Sequence, residues 1–378
     1  MKRVLTKELK PGMVVARDVP DGKGGFLLRR GVPLSAAYIR ALQERDYAWV
    51  FISDDASDSL VVEDMVSSYL ASSSLPLLRS LRRLLAANSQ PGTPAGSGQP
   101  ATEDTAVEQE AEQVSCVVGQ VLSANAVTAM ARMASNDQTL LYHGLDTATV
   151  AVSFGMRLGL DEASLRSLAL GCLLHDCGKT LLREHILVLP LLSEEQLAEL
   201  RRHPLLGLQV LRELGLDDLQ VASIVAQHHE RQDGLGYPRG SRGTNHISSA
   251  QQSGRIALAA EVASICDTYA VLTSDTLAGG RLEDHLVLRS LQRMSGTVLN
   301  RQLLSHFLNP RPLIPVGMFA YVQSGKNAGY RGLTVRRSSR AEGQVVIRLT
   351  QDGSGAWVQP FEVDLGEEPE VQVKVAFE

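Results

Sequence analysis

Five of the nine histidines stand at positions typical of metal ligands. His175 is followed directly by Asp176, and this pair interrupts an apolar helical stretch, where an uncompensated charge would be costly. A divalent metal compensates such a pair, because imidazole suits ions such as zinc, iron and manganese and an aspartate can bridge two ions. The five histidines are His143, His175, His203, His228 and His229.

Two further charged residues extend this pattern. Asp267 places another carboxylate inside an apolar helical run, where the same burial argument applies. Lys179 lies one turn after His175 and Asp176, so its ammonium can reach a phosphate held by the metals. The chemistry indicated is metal-assisted attack on a phosphoester, with Asp176 and Lys179 as the catalytic residues.

A second cluster begins at His228-His229 and runs through a loop to Pro238. Gly234 and Gly236 allow this loop to bend sharply, which would place ligands beside a substrate-binding wall. Tyr237 has two interpretations, stacking on a base or simple packing.

Each signal also has a structural explanation when it is taken singly. Asp267 can be a hydrogen-bonded core residue, His203 before Pro204 can belong to a surface turn, and Lys179 can extend its ammonium into solvent. The joint order His, His-Asp, His, His-His, Asp along one helical segment predicts a metal site instead. The remaining histidines are interpreted as structural or solvated: His185, His246, His285 and His306.

The hydrophobic pattern predicts a mainly α protein. Apolar residues recur at helical spacing over residues 114–309, and a period closer to two begins at residue 310. We therefore expect a helical bundle at 114–309, a small N-terminal α/β unit at 1–53 and a C-terminal β appendage at 310–378. Residues 54–113 are predicted to hold a helix and then a Ser-, Gly- and Pro-rich linker that ends in an acidic run to Glu112.

The N-terminal unit carries its own local signals. Strands are expected at residues 13–16, 26–28 and 49–52, and Ser35 is predicted to cap a helix that reaches about Arg45.

Composition narrows the class of function. An apolar content of 44% with 21% charged residues is typical of a globular protein that buries a core. A net charge of -5 gives little electrostatic support for DNA, RNA or an anionic membrane as partner. Four scattered cysteines fit reduced thiols, and the sequence lacks the pattern of a signal peptide or membrane span, so a cytoplasmic protein is expected.

From about His143 to Asp275 the sequence resembles the HD-GYP domain, a subgroup of the HD superfamily. The resemblance rests on His175-Asp176-Cys177-Gly178-Lys179, His203-Pro204, His228-His229-Glu230 and residues 233–238. It also extends to residues 9–14, which are similar to segments that often precede this domain. The resemblance implies a helical-bundle HD domain that holds divalent metals and hydrolyses cyclic di-GMP.

The resemblance also implies roles for individual residues. His143, His175, Asp176 and Asp267 would hold one metal, and Asp176 would bridge to a second held by the other three histidines. The cations would be iron or manganese first, with zinc or nickel as alternatives. Substrate contacts are expected from Lys179, Asp233, Gly234, Gly236, Tyr237 and Pro238.

Two departures from the family pattern bear on product and substrate. Thr139 occupies the place of a Glu found in three-metal members, which favours a two-metal site and linear pGpG as the product. After Asp275 the family continues with Arg-Pro-Tyr-Arg, whereas here Thr276 and Gly279 replace the two basic residues and Arg281 follows later. Each lost phosphate contact would cost about 1.5 to 3 kcal/mol.

Three hypotheses follow. The first is a two-metal phosphodiesterase in which the cations lower the pKa of a bridging water that attacks phosphorus. The second is a signalling module that binds metal and a nucleotide or partner protein but turns over poorly. The third is an HD hydrolase for another phosphoester. The resemblance adds a GGDEF-type cyclase as a partner contacted through the loop.

Overall fold

Helices dominate the middle of the chain and strands its two ends in the computed structural model. It describes residues 2–16, 18–20, 26–45, 47, 49–53, 69–70, 75–89, 100–183, 192–248, 254–274, 282–309, 314–341, 344–368 and 370–377. The predicted mainly α fold with a C-terminal β part is confirmed.

The N-terminal unit pairs β1 (Lys2–Leu5) with β4 (Trp49–Ile52), and β2 (Val19–Pro20) with β3 (Phe26–Leu28), both antiparallel. Helix α1 (Ala36–Gln43) begins as predicted at Ser35, whose side chain accepts a hydrogen bond from the Tyr38 amide at 3.2 Å.

The strand expected at residues 13–16 was a wrong prediction. This segment forms only isolated bridges, from Val14 to Pro33 and from Val15 to Ile52. The Val15 amide bonds to Val32, whereas the Ala16 amide bonds to Phe51 on the other side. Because the segment alternates between two partners, it forms no continuous ladder.

Several helices of the bundle begin at a residue whose own side chain caps the first turn. Ser123, Asp137, Asp161, Asp218 and Asn300 each accept a backbone N–H of the first turn. The helices are α2 (Leu75–Ser89), α3 (Pro100–Gln120), α4 (Ala124–Asn136), α5 (Gln138–Leu158), α6 (Glu162–Leu174), α7 (Glu194–Leu200), α8 (His203–Glu213), α9 (Leu219–Gln227), α10 (Leu258–Thr273), α11 (Asp284–Met294) and α12 (Arg301–Phe307).

The acidic run expected as linker is helical, since α3 begins at Pro100. Val107, Ala111, Val114 and Val118 recur at helical spacing and are buried in the main core. This apolar stripe outweighs the acidic composition of the exposed positions. Of the helix expected near 64–86, residues 69–70 and 75–86 are described, the latter within α2, whereas residues 64–68 and 71–74 lie outside the described residues. The Ser-, Gly- and Pro-rich stretch expected at 88–99 is described only at residues 88 and 89, which end α2.

The β appendage is one antiparallel sheet in the order β8-β7-β6-β5-β9. Its strands are β5 (Phe319–Val322), β6 (Arg331–Arg337), β7 (Val345–Gln351), β8 (Trp357–Asp364) and β9 (Val373–Ala376). One face, including Ala320 and Ile347, packs into the same core as the helices. The Asp161 amide donates to the Val375 carbonyl at 2.7 Å, which ties β9 to the connection between α5 and α6.

Within the described ranges, no single helix is long and apolar enough to cross a membrane. By length and composition, the pair 105–120 and 124–136 passes such a test jointly, with a bend of 103° between them. All four cysteines are free thiols, and Cys172, Cys177 and Cys266 are buried.

Candidate metal centre

The predicted ligands come from six separate elements, and most of them lie at helix ends. His175 caps the C-terminus of α6, and Asp176 starts the 3-10 turn Cys177–Leu181. His203 is the first residue of α8, and His228 caps α9. His143 and Asp267 lie inside α5 and α10, which pack against each other. Helix ends and two facing helix sides therefore meet at one place.

Asp176 lies at the centre of this cluster. Its Oδ1 is 3.2 Å from Nε2 of His203 and 3.8 Å from Nε2 of His228. Its Oδ2 is 3.4 Å from Nε2 of His175. The donor atoms of Asp176, His203, His228 and His229 all lie within 4.8 Å of one another.

Asp176 also belongs to a second group of potential ligands with His143 and His175. Asp267 joins this group, since its Oδ1 is 2.9 Å from Nε2 of His143 and 3.6 Å from Nε2 of His175. The structure thus brings all seven predicted ligand residues together, in two groups that share one aspartate.

Backbone carbonyls orient three of the imidazoles. Nδ1 of His175 donates to Cys172 O at 2.6 Å, and Nδ1 of His203 donates to Leu200 O at 2.8 Å. Nδ1 of His228 donates to Val225 O at 3.0 Å. A carbonyl only accepts, so each of these rings carries a proton on Nδ1 and turns its Nε2 towards Asp176. This is the arrangement that a metal-binding histidine needs.

The electrostatics of the cluster favour charged carboxylates and neutral imidazoles at His228 and His229. Against the effect of burial, by contrast, Asp176 and Asp267 raise the pKa of His175 to about 9. Burial alone would raise the pKa of Asp176, but Lys179 and His175 hold that pKa well below its usual range. Burial, reinforced by the neighbouring imidazoles, lowers the pKa of His228 well below its usual value. Burial likewise lowers the pKa of His229 to about 3. Deprotonated groups of this kind are the ones that bind metal ions.

The donor set fits a divalent metal. Asp176 is 1% exposed, and its Oδ1 is buried without a hydrogen-bond donor among the described residues. Leaving a carboxylate oxygen unsatisfied in this way would be expensive in the absence of a cation. Several imidazoles with two carboxylates match the preferences of iron, manganese, zinc and nickel.

Lys179 contacts the cluster directly. Its Nζ lies 2.5 Å from Oδ2 of Asp176, and its side chain remains 21% exposed. The ammonium therefore stands between the buried aspartate and the protein surface, at the edge where a phosphate would approach.

The loop after α9 is held in shape by Glu230. Its buried carboxylate accepts the Arg239 amide at 2.7 Å and the Ser241 amide at 2.8 Å. At Gly236, an added Cβ would lie 2.5 Å from the His229 carbonyl oxygen and the Arg231 amide nitrogen, so only glycine fits without a backbone shift. This close approach seats the loop directly against the ligand His229.

Tyr237 closes the outer side of the ligand His229. The ring centroids of the two residues are 4.6 Å apart, and the Arg201 guanidinium lies 5.7 Å from the Tyr237 centroid. Of the two interpretations of Tyr237, packing describes the observed contact with His229. Pro238 follows through a cis peptide bond.

Asp233 does not face the ligands with its carboxylate. That group pairs with Arg231, 2.6 Å from Nη2, and accepts the Leu235 amide at 2.9 Å. Gly234 adopts a φ of +76°, and an added Cβ would meet the Arg242 side chain. These two residues shape the loop, whose tip is Leu235 at 75% exposure.

Glu261, which holds this loop in place through hydrogen bonds, was not identified from the sequence. Glu261 accepts Gln232 Nε2 at 2.6 Å and Asn300 Nδ2 at 3.0 Å. Burial raises the pKa of Glu261 to about 7, against the effect of these two hydrogen bonds. Arg201 was also missed, although its place two residues before His203 was the available signal.

Thr276 and Gly279, which replace the two basic residues of the family, lie outside the described residues, as does Arg281. Thr139 lies in the first turn of α5, where its amide donates to Oδ1 of Asp137 at 2.9 Å.

A helical bundle with paired histidine and aspartate ligands of this kind defines the class of HD-type metal-binding domains. Residues 121–297 match the HD domain family. The motifs of this segment are similar to those of the HD-GYP subgroup, in agreement with the resemblance found in the sequence.

Known relatives agree with this assignment. The chain is 28% identical over 203 residues to the cyclic di-GMP phosphodiesterase PA4108 of Pseudomonas aeruginosa. The matched segment covers 53% of this chain and 46% of the relative. The chain is also 32% identical over 120 residues to the cyclic di-GMP phosphodiesterase response regulator RpfG of Xanthomonas campestris pv. campestris, covering 31% and 29%. The chain thus spans less than half the length of either relative.

Among solved structures, the chain is similar to Bd1817, a HDG"Y"P protein from Bdellovibrio bacteriovorus. That match has a TM-score of 0.38 and 19% identity, and it covers 81% of this chain and 97% of the other.

Proposed function

We propose that this chain is a metal-dependent phosphodiesterase that hydrolyses cyclic di-GMP to pGpG. The observation that carries the proposal is the unsatisfied Oδ1 of Asp176, buried among imidazoles whose Nε2 atoms face it. The names of two relatives support the substrate, since both are cyclic di-GMP phosphodiesterases.

Two cations are proposed. His143, His175, Asp176 and Asp267 would hold one, and Asp176, His203, His228 and His229 the other. The existence of two ligand groups that share Asp176 supports this division. Iron or manganese is proposed first, and zinc or nickel also fits the donor set. When bound, such ions supply positive charge for the phosphoryl oxygens and lower the pKa of a coordinated water.

The chain's own residues then bind and orient the substrate. Lys179 stands at the rim of the cluster, where its ammonium can stabilise a phosphate oxygen as negative charge develops. In the absence of substrate it is neutralised by Asp176, so binding a phosphate transfers the ammonium from one anion to another. Arg201, beside Tyr237, is a second cation at the same side of the site.

The loop at residues 233–238 forms the wall of the proposed substrate site. Tyr237 shields His229 from solvent, and shielding strengthens electrostatic interactions at the centre. The GGDEF-type cyclase that the resemblance adds as a partner would contact this loop, whose tip residue Leu235 is exposed.

The decisive experiment incubates manganese- or iron-loaded protein with cyclic di-GMP and separates the products by chromatography. We expect pGpG to accumulate, and Asp176→Ala to abolish turnover while circular dichroism shows a folded protein. Undiminished hydrolysis by Asp176→Ala would rule the mechanism out.

A weakly active signalling module is the second candidate, because Thr276 and Gly279 replace two phosphate-binding cations of the family. The same assay separates the two candidates. Tight binding of cyclic di-GMP without product favours the signalling module, whereas rapid conversion of cyclic di-GMP to product excludes it. Competition by other nucleotides tests the third possibility, an HD hydrolase with another substrate.

A further inference from the structure

The outward face of the β appendage carries one row of side chains that crosses all five strands. The strand register aligns them in sheet order as Trp357, Gln351, Arg331, Tyr321 and Lys374. Residues opposite each other in paired strands project to the same face. All five are exposed or partly exposed, whereas the alternate residues of β5 are buried in the core. The row therefore faces away from the helical bundle.

A pocket of ≈ 260 Å³ opens along this row. We call it the sheet pocket, and its lining includes Phe319, Tyr321, Arg331, Thr350, Gln351 and Trp357. A bulge in β7 shapes it, because the pairing with both neighbouring strands passes from Leu349 to Gln351 and omits Thr350. Bulges of this kind change the direction of a side chain and often occur at binding sites. The sheet pocket thus combines aromatic rings with several side chains able to form hydrogen bonds.

Two cations flank Tyr321 without a compensating anion. The Arg331 guanidinium lies 5.3 Å from the Tyr321 ring centroid, and Lys374 is opposite Tyr321 on β9. In the described part of the chain, neither cation forms an ion pair with a carboxylate. By contrast, Arg348 on the neighbouring strand pairs with Glu362 at 2.9 Å. Arg331 lines the sheet pocket, whereas Lys374 lies on the edge strand β9, opposite Tyr321.

Trp357 is 78% exposed, although tryptophan is large and usually well buried. It is one of only two tryptophans in the chain. This exposed indole lines the same pocket as Arg331 and Tyr321, so it provides a flat surface for a planar ring, with a cation in the same pocket for an anionic group.

We propose that the sheet pocket binds a nucleotide unit. The base stacks on Trp357, the phosphate contacts Arg331, and Thr350 and Gln351 offer hydrogen bonds to the edge of the base. The pocket volume suits a ligand near the lower size limit of small-molecule sites, about 300 Å³. The pocket opens on the face of the sheet and not along a strand edge, which argues against a peptide that adds as a strand.

This site is separate from the metal centre. The sheet is tied to the bundle at Leu160 and Asp161, beyond the C-terminal end of α5, whereas the ligand His143 lies near the start of that helix. At 1.5 Å per residue, the two ends are roughly 20 Å apart. The net charge of -5 does not oppose a nucleotide here, because the attraction comes from local cations.

The test uses the metal-loaded full chain with Trp49→Phe, so that fluorescence reports on Trp357 alone. GMP and a single-stranded RNA octamer are titrated separately, with guanosine and inorganic phosphate as partial ligands. We expect saturable quenching by GMP, and binding of guanosine or phosphate weaker by about 10-fold or more. Similar affinity for GMP and the octamer shows that a free nucleotide is sufficient to occupy the sheet pocket. Much tighter, salt-dependent binding of the octamer identifies single-stranded nucleic acid as the source.

Arg331→Gln is expected to weaken GMP binding by about 10-fold or more. Arg348→Gln is the matched control, because this arginine is already neutralised by Glu362, and it should change affinity less than twofold. Equilibrium dialysis of labelled GMP with the wild-type chain and Arg331→Gln repeats the comparison without the Trp49 substitution. Any one of three results overturns the proposal. They are no saturable quenching by GMP or the octamer up to about 1 mM, equal GMP binding by Arg331→Gln and the wild type, and tighter quenching by an acidic peptide than by GMP.

Discussion

His143 and Asp267 are 124 residues apart in sequence, yet Nε2 of the histidine lies 2.9 Å from Oδ1 of the aspartate. The pair joins α5 to α10, and its histidine belongs to the ligand group that does not include His203. A bound cation would replace this contact, because both atoms are metal donors. The pair is therefore a test of whether the centre holds one ion or two.

We expect Asp267→Asn to lower the bound manganese from about two ions per chain to about one. The carboxamide weakens only the group that contains His143 and His175, and the group around His203 keeps its ligands. Asp176→Ala, which removes the shared aspartate, should lower both. Metal content after dialysis, measured by elemental analysis, checks the result.

Asp233→Asn provides the control for that measurement, because this carboxylate pairs with Arg231 and not with the imidazoles. Its metal content should equal that of the wild type. A full complement of metal in Asp267→Asn would contradict the division of ligands.

Lys179→Gln should retain metal but lose activity. The ammonium contacts only one oxygen of Asp176, and its proposed role is to stabilise substrate phosphate. A charge-assisted contact is worth about 1.5 to 3 kcal/mol, so hydrolysis of cyclic di-GMP should fall about 10- to 150-fold. Kinetics at saturating manganese measure this loss.

Lys326→Gln is the matched control, since this exposed lysine pairs with Glu368 in the β appendage. It should leave the rate unchanged. If Lys179→Gln instead loses its metal in proportion to its activity, the lysine supports the ligands and does not act on the substrate.

The ligand residues could be predicted because histidines and aspartates inside apolar helices require compensation, and their types and order are visible in the sequence. The orientation of the rings could not, since it depends on the carbonyls of Cys172 and Leu200, which any residue supplies equally well. The acidic composition of α3 concealed a stripe of buried valines. Likewise, the register that aligns Arg331 with Tyr321 depends on strand pairing and a bulge, which no local pattern specifies.

Glu261 should make stability depend on pH. Its folded pKa is about 7, above the ordinary value of 4.5, so the folded state binds the proton more tightly than the unfolded state. Its contribution to stability is fully present below about pH 4.5 and is lost as the pH rises towards and through 7. The shift corresponds to a loss of about 3 kcal/mol. Urea unfolding across this range measures it.

Glu261→Gln removes the titrating carboxyl group, so the difference in stability between the wild type and this variant isolates the effect of Glu261. The wild type should exceed the variant in stability by the largest margin near pH 4.5, and the margin should shrink as the pH approaches 7. Parallel stability curves for the two proteins over this window would show that the carboxyl group does not titrate there.

Gly178 fixes the distance between the 3-10 turn and α8. An added Cβ would lie 2.0 Å from the His203 carbonyl oxygen and 2.4 Å from the Gly207 amide nitrogen, both of them backbone atoms that cannot rotate away. Gly178→Ala must therefore separate the turn that carries Asp176 from the helix that begins at His203. We expect a loss of about 1 to 3 kcal/mol in the free energy of unfolding, together with weaker metal binding.

Gly119→Ala is the matched substitution, because Gly119 lies in α3 and an added Cβ would meet nothing within 4 Å. It should stabilise the protein by roughly 0.5 to 1 kcal/mol, since alanine is the better helix former. Thermal unfolding and manganese titration of the two variants distinguish a local clash from a general effect of alanine. Wild-type stability and metal affinity in Gly178→Ala would mean that Asp176 and His203 do not depend on this close backbone contact for their positions.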